Sequence, residues 1–568
     1  MEGPILGVVD GITDAGAALF IDGALAAAVN EERLTRNKLQ GGFPARSIAE
    51  VLRVGGVAPG DVRSVQVAGI NTPSLATRLF RPLQHRLAET AGIVFDRPWS
   101  PLQRLADFTR YRMRLTTNRP GSTLGRIEGR AARVRLQREL PGGISAPVSL
   151  VEHHTAHAAT AFFAGPFERA LVVTADSLGD GLSLTVSRGE GRQLVRLWSA
   201  DPFVSFGTFF ALVTKFLGFR PYRHEGKVAA LAASGDASRI PVAFPLRLEG
   251  EGIVFEGAWG LKAWRWLECL SGLAREDVAA WLQDGTEAGL AGIVERFATR
   301  TGLTDLCVSG GLFANVRLNL RLLETPGVER LFVYPHMGDG GLAVGAVLAH
   351  LRPESWTLPT LFLGPAYDAR DCARALDGLD FVQPADPEEE VAEILAQGGV
   401  VGRFCGRMEY GPRALGHRSV FAEAIDPEIQ TELNRRLDRT EFMPFAPVML
   451  ADGAGDRVAD IDRARESTRH MTCAFRAKPE LVKEAPATVH TDGTARCQVA
   501  TPEEVPGVCR MLRAYARRTK RSTLIHTSFN RHEEPLVCTP DDAAKTFREG
   551  GLDALLLGPY LVRNRKTR

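Results

Sequence analysis

Hydrophobic and polar positions fall into the same pattern twice. Residues 5–23, ILGVVDGITDAGAALFIDG, read as a buried strand, an acidic-glycine turn and a second strand. Residues 171–189, LVVTADSLGDGLSLTVSRG, repeat this at a constant offset of 166 (171 against 5). Asp10 falls on Asp176, Asp14 on Asp180 and Gly23 on Gly189. Two β-hairpin units, each with an aspartate at a strand tip beside a glycine turn, make an internal duplication. Around them the periodicity predicts helices. One starts at residues 42–47 with Ile48, Val51 and Leu52 on one face, a second spans 205–218, and a third spans 277–302, broken at Asp284-Gly285. Residues 304–315 read as a strand and a Gly-Gly turn. Residues 351–360, with Pro353 and Pro359, form the linker. Beyond it the pattern becomes α+β, with a helix from Pro387 and a strand from Gly399.

Composition adds bounds. At 568 residues the chain holds two or more domains, and 45% apolar with 24% charged residues describes an ordinary soluble protein. A net charge of +2 argues neither for nor against a polyanionic partner. Eight scattered cysteines without a C-x-x-C pair read as reduced thiols of a cytoplasmic protein. Met1 leads straight into a strand, and no apolar run reaches the roughly 18 residues of a membrane span, so neither a leader nor a membrane partner is expected. Residues 30–38, NEERLTRNK, read as a solvated charge run. Residues 78–138 carry fourteen arginines, no lysine and four acids, which reads as an inserted basic helical element or lid. Aromatics are not regularly interleaved there, as a nucleic-acid surface would ask.

Chemistry concentrates in 151–185. His153 and His157 stand one helical turn apart, the usual way to hold one transition-metal ion with two imidazoles, and Asp176 follows at a strand tip. Asp339, in a glycine turn before a small-residue helix, is a candidate fourth ligand. In the C-terminal part, residues 410–419, YGPRALGHRS, hold Arg413 and Arg418 in a glycine-proline loop suited to gripping phosphate oxygens.

Nine stretches occur in one order: 30–38 (NEERLTRNK), 153–158 (HHTAHA), 225–235 (EGKVAALAASG), 309–315 (SGGLFAN), 337–341 (MGDGG), 409–419 (EYGPRALGHRS), 443–447 (MPFAP), 492–496 (DGTAR) and 527–535 (TSFNRHEEP). Together they resemble the ATP-dependent O-carbamoyltransferases of the nodulation-protein and antibiotic-biosynthesis type. The resemblance implies an α/β and α+β chain. Residues 1–355 would form an actin-like, threonylcarbamoyl-transferase-like domain with an arginine-rich insert at about 73–140, and 361–568 a YrdC-like domain. It implies that the C-terminal domain makes carbamoyladenylate from carbamoyl phosphate and ATP, with Mg2+, and that the N-terminal domain passes the carbamoyl group to a hydroxyl of a small acceptor. By the same resemblance His153, His157, Asp176 and Asp339 hold an iron-like divalent metal, and Lys38, Gly311 and Asn315 cradle carbamoyladenylate. Arg413, Arg418, Arg496, His526 and Ser528 bind ATP and carbamoyl phosphate.

Three positions depart from the family pattern. Thr13 stands where much of the family has the histidine thought to deprotonate the acceptor, so the base is Asp10, a group of the substrate or a residue elsewhere, or the acceptor is more nucleophilic. Met443 and His526 stand where an arginine and an asparagine are common. Thr13 also keeps an amine acceptor open, since a free amine needs less help than an alcohol. A tRNA-modifying protein and a regulatory nucleotide-binding descendant are the readings from other classes. Near-neutral charge and the fusion of two half-reactions in one chain count against the first, and retention of all four metal positions against the second. The acceptor's identity and homodimerisation stay open.

Overall fold

The computed structural model describes residues 3–80, 121–250, 252–256, 266–438 and 445–564. Most of the arginine-rich stretch, residues 81–120, and Met443 lie outside the described residues. The chain divides into two units: Met1–Glu31 with Leu39–Pro359, and Glu32–Lys38 with Thr360–Arg568. A seven-residue strap, 32–38, thus leaves the first unit and belongs to the second.

In unit 1, β1 (Ile5–Val9), β2 (Gly16–Ile21), β3 (Ala24–Asn30), β4 (Ser64–Ala68) and β5 (Val148–Val151) form a sheet in the order β3-β2-β1-β4-β5. β1, β2 and β3 pair antiparallel, while β4 and β5 continue parallel to β1. The second block begins with β6 (Arg169–Gly179), β7 (Leu182–Glu190) and β8 (Gln193–Ala200), again antiparallel. A two-stranded ribbon of β9 (Leu246–Glu249) and β10 (Gly252–Phe255) intervenes. Then β11 (Asp305–Ser309) and β12 (Arg330–Val333) complete a sheet ordered β12-β11-β6-β7-β8. Both sheets run third, second, first, fourth, fifth, so the duplicated pattern is a duplicated topology. Even the turns agree: Asp14 and Asp180 both take a left-handed conformation, with φ of 56° and 48°, which aspartate tolerates better than most residues.

The run ILGVV of β1 is apolar throughout because every residue of it is buried. A Cβ on Gly7 would lie 2.0 Å from the Ala343 carbonyl oxygen, so glycine lets the helix Leu342–Leu351 settle on β1. On its other side that helix meets the helix His153–Phe163, where a Cβ on Gly345 would lie 2.2 Å from the Ala156 carbonyl oxygen. This stacking brings Asp339, just before the helix, up to the histidines.

The third helix corrects the expectation from sequence. Arg275–Thr301 is continuous through Asp284-Gly285. Gly285 is there for close approach: a Cβ on it would lie 2.2 Å from the Phe244 ring.

Unit 2 is built on an eight-stranded mixed sheet. In chain order its strands are β13 (Phe381–Val382), β14 (Val401–Phe404), β15 (Arg418–Ala422), β16 (Ala446–Leu450), β19 (Gln498–Ala500), β20 (Thr523–Ser528), β21 (Ala554–Leu557) and β22 (Tyr560–Arg563); a separate pair, β17 (Phe475–Arg476) and β18 (Thr494–Ala495), flanks them. The order is β13-β22-β21-β14-β15-β20-β16-β19. Helices Pro387–Ala396 and Pro506–Thr519 cover one face through Leu395, Leu512 and Tyr515, packed with Val401, Phe421 and Leu556. All eight cysteines are free thiols. Among the described residues no helix is long and apolar enough to cross a membrane.

Candidate active site

The site in unit 1 is built from a helix start, a bulge and a turn. Glu152 caps the helix His153–Phe163, accepting from the His154 N–H at 3.3 Å and the Thr155 N–H at 2.7 Å. Asp180, in the turn after β6, fixes the same end: its carboxylate accepts from the backbone N–H groups of His153 (2.9 Å), Ile70 (2.9 Å) and Asn71 (2.7 Å). Asp176 sits where β6 loses register with β7, between Ala175 and Gly179. Asp339 opens the short turn before Leu342–Leu351.

These elements aim four side chains at one point. The Asp176 carboxylate lies 3.6 Å from His153 Nε2 and 3.3 Å from His157 Nε2, and Asp339 Oδ1 lies 3.5 Å from each. All four donor atoms fall within 4.8 Å of one another. Both Nε2 atoms and Asp339 Oδ1 are buried without a hydrogen-bond partner. An orphaned buried polar atom costs about 1–3 kcal/mol, so three converging on one spot fit a cation there. The histidines are closed off, whereas the Asp176 and Asp339 side chains remain 17% and 28% exposed, which leaves the carboxylate side open to a ligand.

The surrounding hydrogen bonds set His157 for coordination. Thr160 Oγ1 donates to the His157 carbonyl at 2.7 Å, and the Ser309 hydroxyl proton goes to the Met337 carbonyl or to Thr160 Oγ1. With its proton on the Met337 carbonyl, Ser309 Oγ accepts from His157 Nδ1–H at 3.1 Å, the tautomer that leaves the lone pair on Nε2. Burial works against a charged imidazole at His153, but the carboxylates of Asp339 and Asp176 outweigh it and hold the pKa up to about 9. Burial likewise opposes the charge of Asp176, yet the imidazoles of His153 and His157 beside it keep it well below the usual carboxylate range. His154 has a different job. Its Nε2–H donates to the Leu182 carbonyl at 3.1 Å and its Nδ1 accepts from Thr174 at 2.8 Å, which ties the helix to the hairpin. Burial, then the charge of His153, pushes its pKa down to about 3.

Two glycines line the cluster. The Gly311 N–H donates to Asp176 Oδ2 at 3.4 Å, so this predicted cradle residue stands against the four-residue cluster. Gly179 lies over His153: a Cβ there would fall 2.0 Å from ring atom Cδ2. Gly179→Ala should therefore displace the imidazole and strip bound metal while the circular-dichroism spectrum stays native; metal content equal to wild type would refute the packing argument. Asn315 is occupied locally. Its Oδ1 caps the helix Val316–Leu323 at the Leu318 N–H (3.1 Å), and its Nδ2 donates to Gln283 at 2.7 Å.

Asp10, the candidate base, is fully buried in a two-pronged ion pair with Arg78, at 3.0 Å from both Nε and Nη2. Arg78 also donates to the carbonyls of Gly69 (2.8 Å) and Ile70 (2.9 Å). A carboxylate committed to a guanidinium is a weak proton acceptor, so Asp10 here holds the end of β1.

In unit 2 the loop 409–419 carries the predicted anion contacts. Glu409 Oε1 gathers the N–H groups of Leu415 (2.9 Å), His417 (2.9 Å) and Arg418 (3.0 Å). Arg418 departs from expectation. It is fully buried, its guanidinium lies 3.6 Å over the Phe404 ring, and its donors go to the carbonyls of Cys405, His417 and Gly406, so it shapes the loop. Arg413 and Arg496 do come together. Burial lowers the Arg413 pKa to about 10, and burial together with the charge of Arg413 holds Arg496 well below the usual range. Two half-buried guanidiniums that repel one another fit an anion between them. His526 on β20 donates to or accepts from Ser419 Oγ at 2.8 Å and stacks on Phe421, and burial pushes its pKa down to about 3. Ser528 lies opposite Ser419 in the strand register. Lys38 belongs to unit 2, whereas Gly311 and Asn315 belong to unit 1.

Comparison with known sequences decides the family. Residues 4–245 and 261–348 match the carbamoyltransferase N-terminus model, and 392–564 match the carbamoyltransferase C-terminus model. The chain belongs to the carbamoyltransferase family. It is similar to nodulation protein NolO of Bradyrhizobium diazoefficiens, 32% identical across 73% of this chain and 79% of that protein. It is also similar to nodulation protein NolNO of Sinorhizobium fredii, 27% identical across 97% and 79%. An uncharacterized Synechocystis protein, sll1178, is 30% identical across 98% and 96%. The solved structure of HypF from T. kodakarensis overlays 62% of this chain and 48% of its own at 12% identity, with a TM-score of 0.35 too low to carry fold or function.

Within this carbamoyltransferase, Ser309, Asp180, Arg78 and Glu409 were missed from sequence. Asp180 left a signal as the duplicate of Asp14, and Ser309 and Glu409 as the first residues of the stretches 309–315 and 409–419.

Proposed function

We propose that this carbamoyltransferase makes carbamoyladenylate from carbamoyl phosphate and ATP in unit 2 and transfers its carbamoyl group to a hydroxyl of a small acceptor in unit 1. The observation that carries the reading is the convergence of His153, His157, Asp176 and Asp339 with three orphaned donor atoms at its centre. The confronted Arg413 and Arg496 support an anion-handling step.

The atoms balance as follows. Water releases phosphate from carbamoyl phosphate, and a carbamate oxygen attacks the α-phosphorus of Mg-ATP as the bond to pyrophosphate breaks. The acceptor hydroxyl oxygen then attacks the carbamoyl carbon, the bond from that carbon to the AMP phosphate oxygen breaks, and the hydroxyl proton is released to water as AMP leaves. Arg413 and Arg496 neutralise phosphate charge in the first stage. A divalent ion held by His153, His157, Asp176 and Asp339, iron on the family pattern, would supply positive charge to the adenylate and polarise its carbamoyl carbonyl. The remaining work falls to the chain. Asp180 sets the backbone of His153, Ser309 sets the tautomer of His157, and Gly311 brings its backbone against Asp176. The commitment of Asp10 to Arg78, with Thr13 beside the turn, favours a second reading in which the acceptor is an amine. A free-base amine attacks without prior deprotonation.

Pyrophosphate release from ATP without any acceptor tests the first stage. Release that depends on carbamoyl phosphate is expected. Its absence from metal-loaded protein would remove the adenylation step. Offering matched alcohols and amines to the same enzyme then separates the two acceptor readings.

A further inference from the structure

We propose that Arg33 and Arg36, on the strap 32–38, are positioning residues for the anion site of unit 2. They hold, through backbone carbonyls, the loop that carries Arg413 and the loop that follows Ser528. The inference rests on the reading of Arg413 and Arg496 as an anion-binding pair.

The strap is not a solvated charge run. Arg33 is only 6% exposed, and its Nη2 donates to the Gly411 carbonyl at 2.8 Å. Gly411 sits two residues before Arg413 with φ of +126°, a conformation that favours glycine. The downstream half of this loop, 415–418, is gathered by Glu409. Arg33 acts on the upstream half. Arg36 donates from Nη2 to the Pro535 carbonyl at 2.9 Å and from Nη1 to the Leu536 carbonyl. Its Nε lies 3.4 Å from Asp542, whose carboxylate also caps the helix Pro540–Gly550. Arg36 itself takes a left-handed conformation, φ +61°, a local cost that the surrounding contacts must sustain.

Both stems of the strap are anchored at one residue in unit 1. The Glu31 N–H donates to the Ala15 carbonyl and the Ala15 N–H to the Gln40 carbonyl, each at 2.8 Å. Glu31 in turn accepts from the Ser47 N–H at 2.8 Å and the Ser47 hydroxyl at 2.7 Å. The strap itself belongs to unit 2, and its two guanidiniums go to carbonyls of that same unit. Guanidiniums spent on carbonyls bind no phosphate themselves; they fix where the Arg413 loop stands.

The test uses full-length Arg33→Ala, Arg33→Lys and Arg36→Ala, with inorganic phosphate as the calorimetric probe and melting temperature as the control. Arg33→Ala and Arg36→Ala should each bind phosphate about tenfold more weakly than wild type. Arg33→Lys should recover part of the loss, because one ammonium donor can still reach the single Gly411 carbonyl. Where the pyrophosphate assay is active, the KM for carbamoyl phosphate should rise with kcat nearly unchanged. Phosphate binding absent from wild type, binding unchanged in both alanine variants, or weakening that only tracks a lower melting temperature would each overturn the proposal. Weaker phosphate binding in the variants of a wild type that releases no pyrophosphate would sustain it and remove the adenylation reading instead.

Discussion

His153→Ala will lose bound metal and carbamoyl transfer while carbamoyl-phosphate-dependent pyrophosphate release continues. His153 supplies one of four converging donors, and its Nε2 makes no hydrogen bond that would give it a second duty. The neighbouring histidine does the structural work, since both ring nitrogens of His154 are hydrogen-bonded into the hairpin. The fold should therefore survive, and the helix keeps its cap at Glu152 and its tether at Asp180. Loss of positive charge at a developing negative oxygen costs roughly 10²–10³-fold or more in rate. Metal analysis and a transfer assay check one half, pyrophosphate release the other. Equal loss in both half-reactions would refute the division of labour between the units.

Arg413→Ala is expected to cut carbamoyl-phosphate-dependent pyrophosphate release by about 10²-fold while leaving the melting temperature the same or higher. The sign of the stability effect follows from the site. Burial disfavours both guanidiniums, and the charge of Arg413 further destabilises the charged form of Arg496. Removing Arg413 relieves Arg496, so under the proposed anion-binding role function is lost as repulsion is relaxed. A large fall in melting temperature would mean that Arg413 supports the loop, as Arg418 does. Unchanged release would take Arg413 out of the site.

The hairpin duplication was legible because burial of a strand on both faces forces an unbroken apolar run, and two such runs with matched turns stand out in a single sequence. The histidine pair was legible for a similar reason: helical spacing alone places His153 and His157 on one face. What escaped was long-range. Asp10 looked like a free acid at a strand tip because its partner, Arg78, lies 68 residues on. Ser309 is an ordinary strand-end serine until the fold sets it beside His157, 152 residues away. Gly285 read as a helix break because helix propensity was the only local information, and the Phe244 ring that requires it is invisible to periodicity. The same holds for residues 30–38. Charge density suggested water, whereas the carbonyls that absorb Arg33 and Arg36 are 378 and about 500 residues away in sequence.

The strap also bears on how such a chain can be cut and recombined. A junction at Pro359–Thr360 follows the linker but does not separate the units, since Glu32–Lys38 remains with the amino-terminal piece. A chimera that takes its carboxy-terminal part from a relative sets foreign loops beneath this chain's arginines. It will work best when the donor's own strap travels with its loops. Parts that look interchangeable in a linear map do not end where that map draws them, because seven residues of one unit are encoded inside the other.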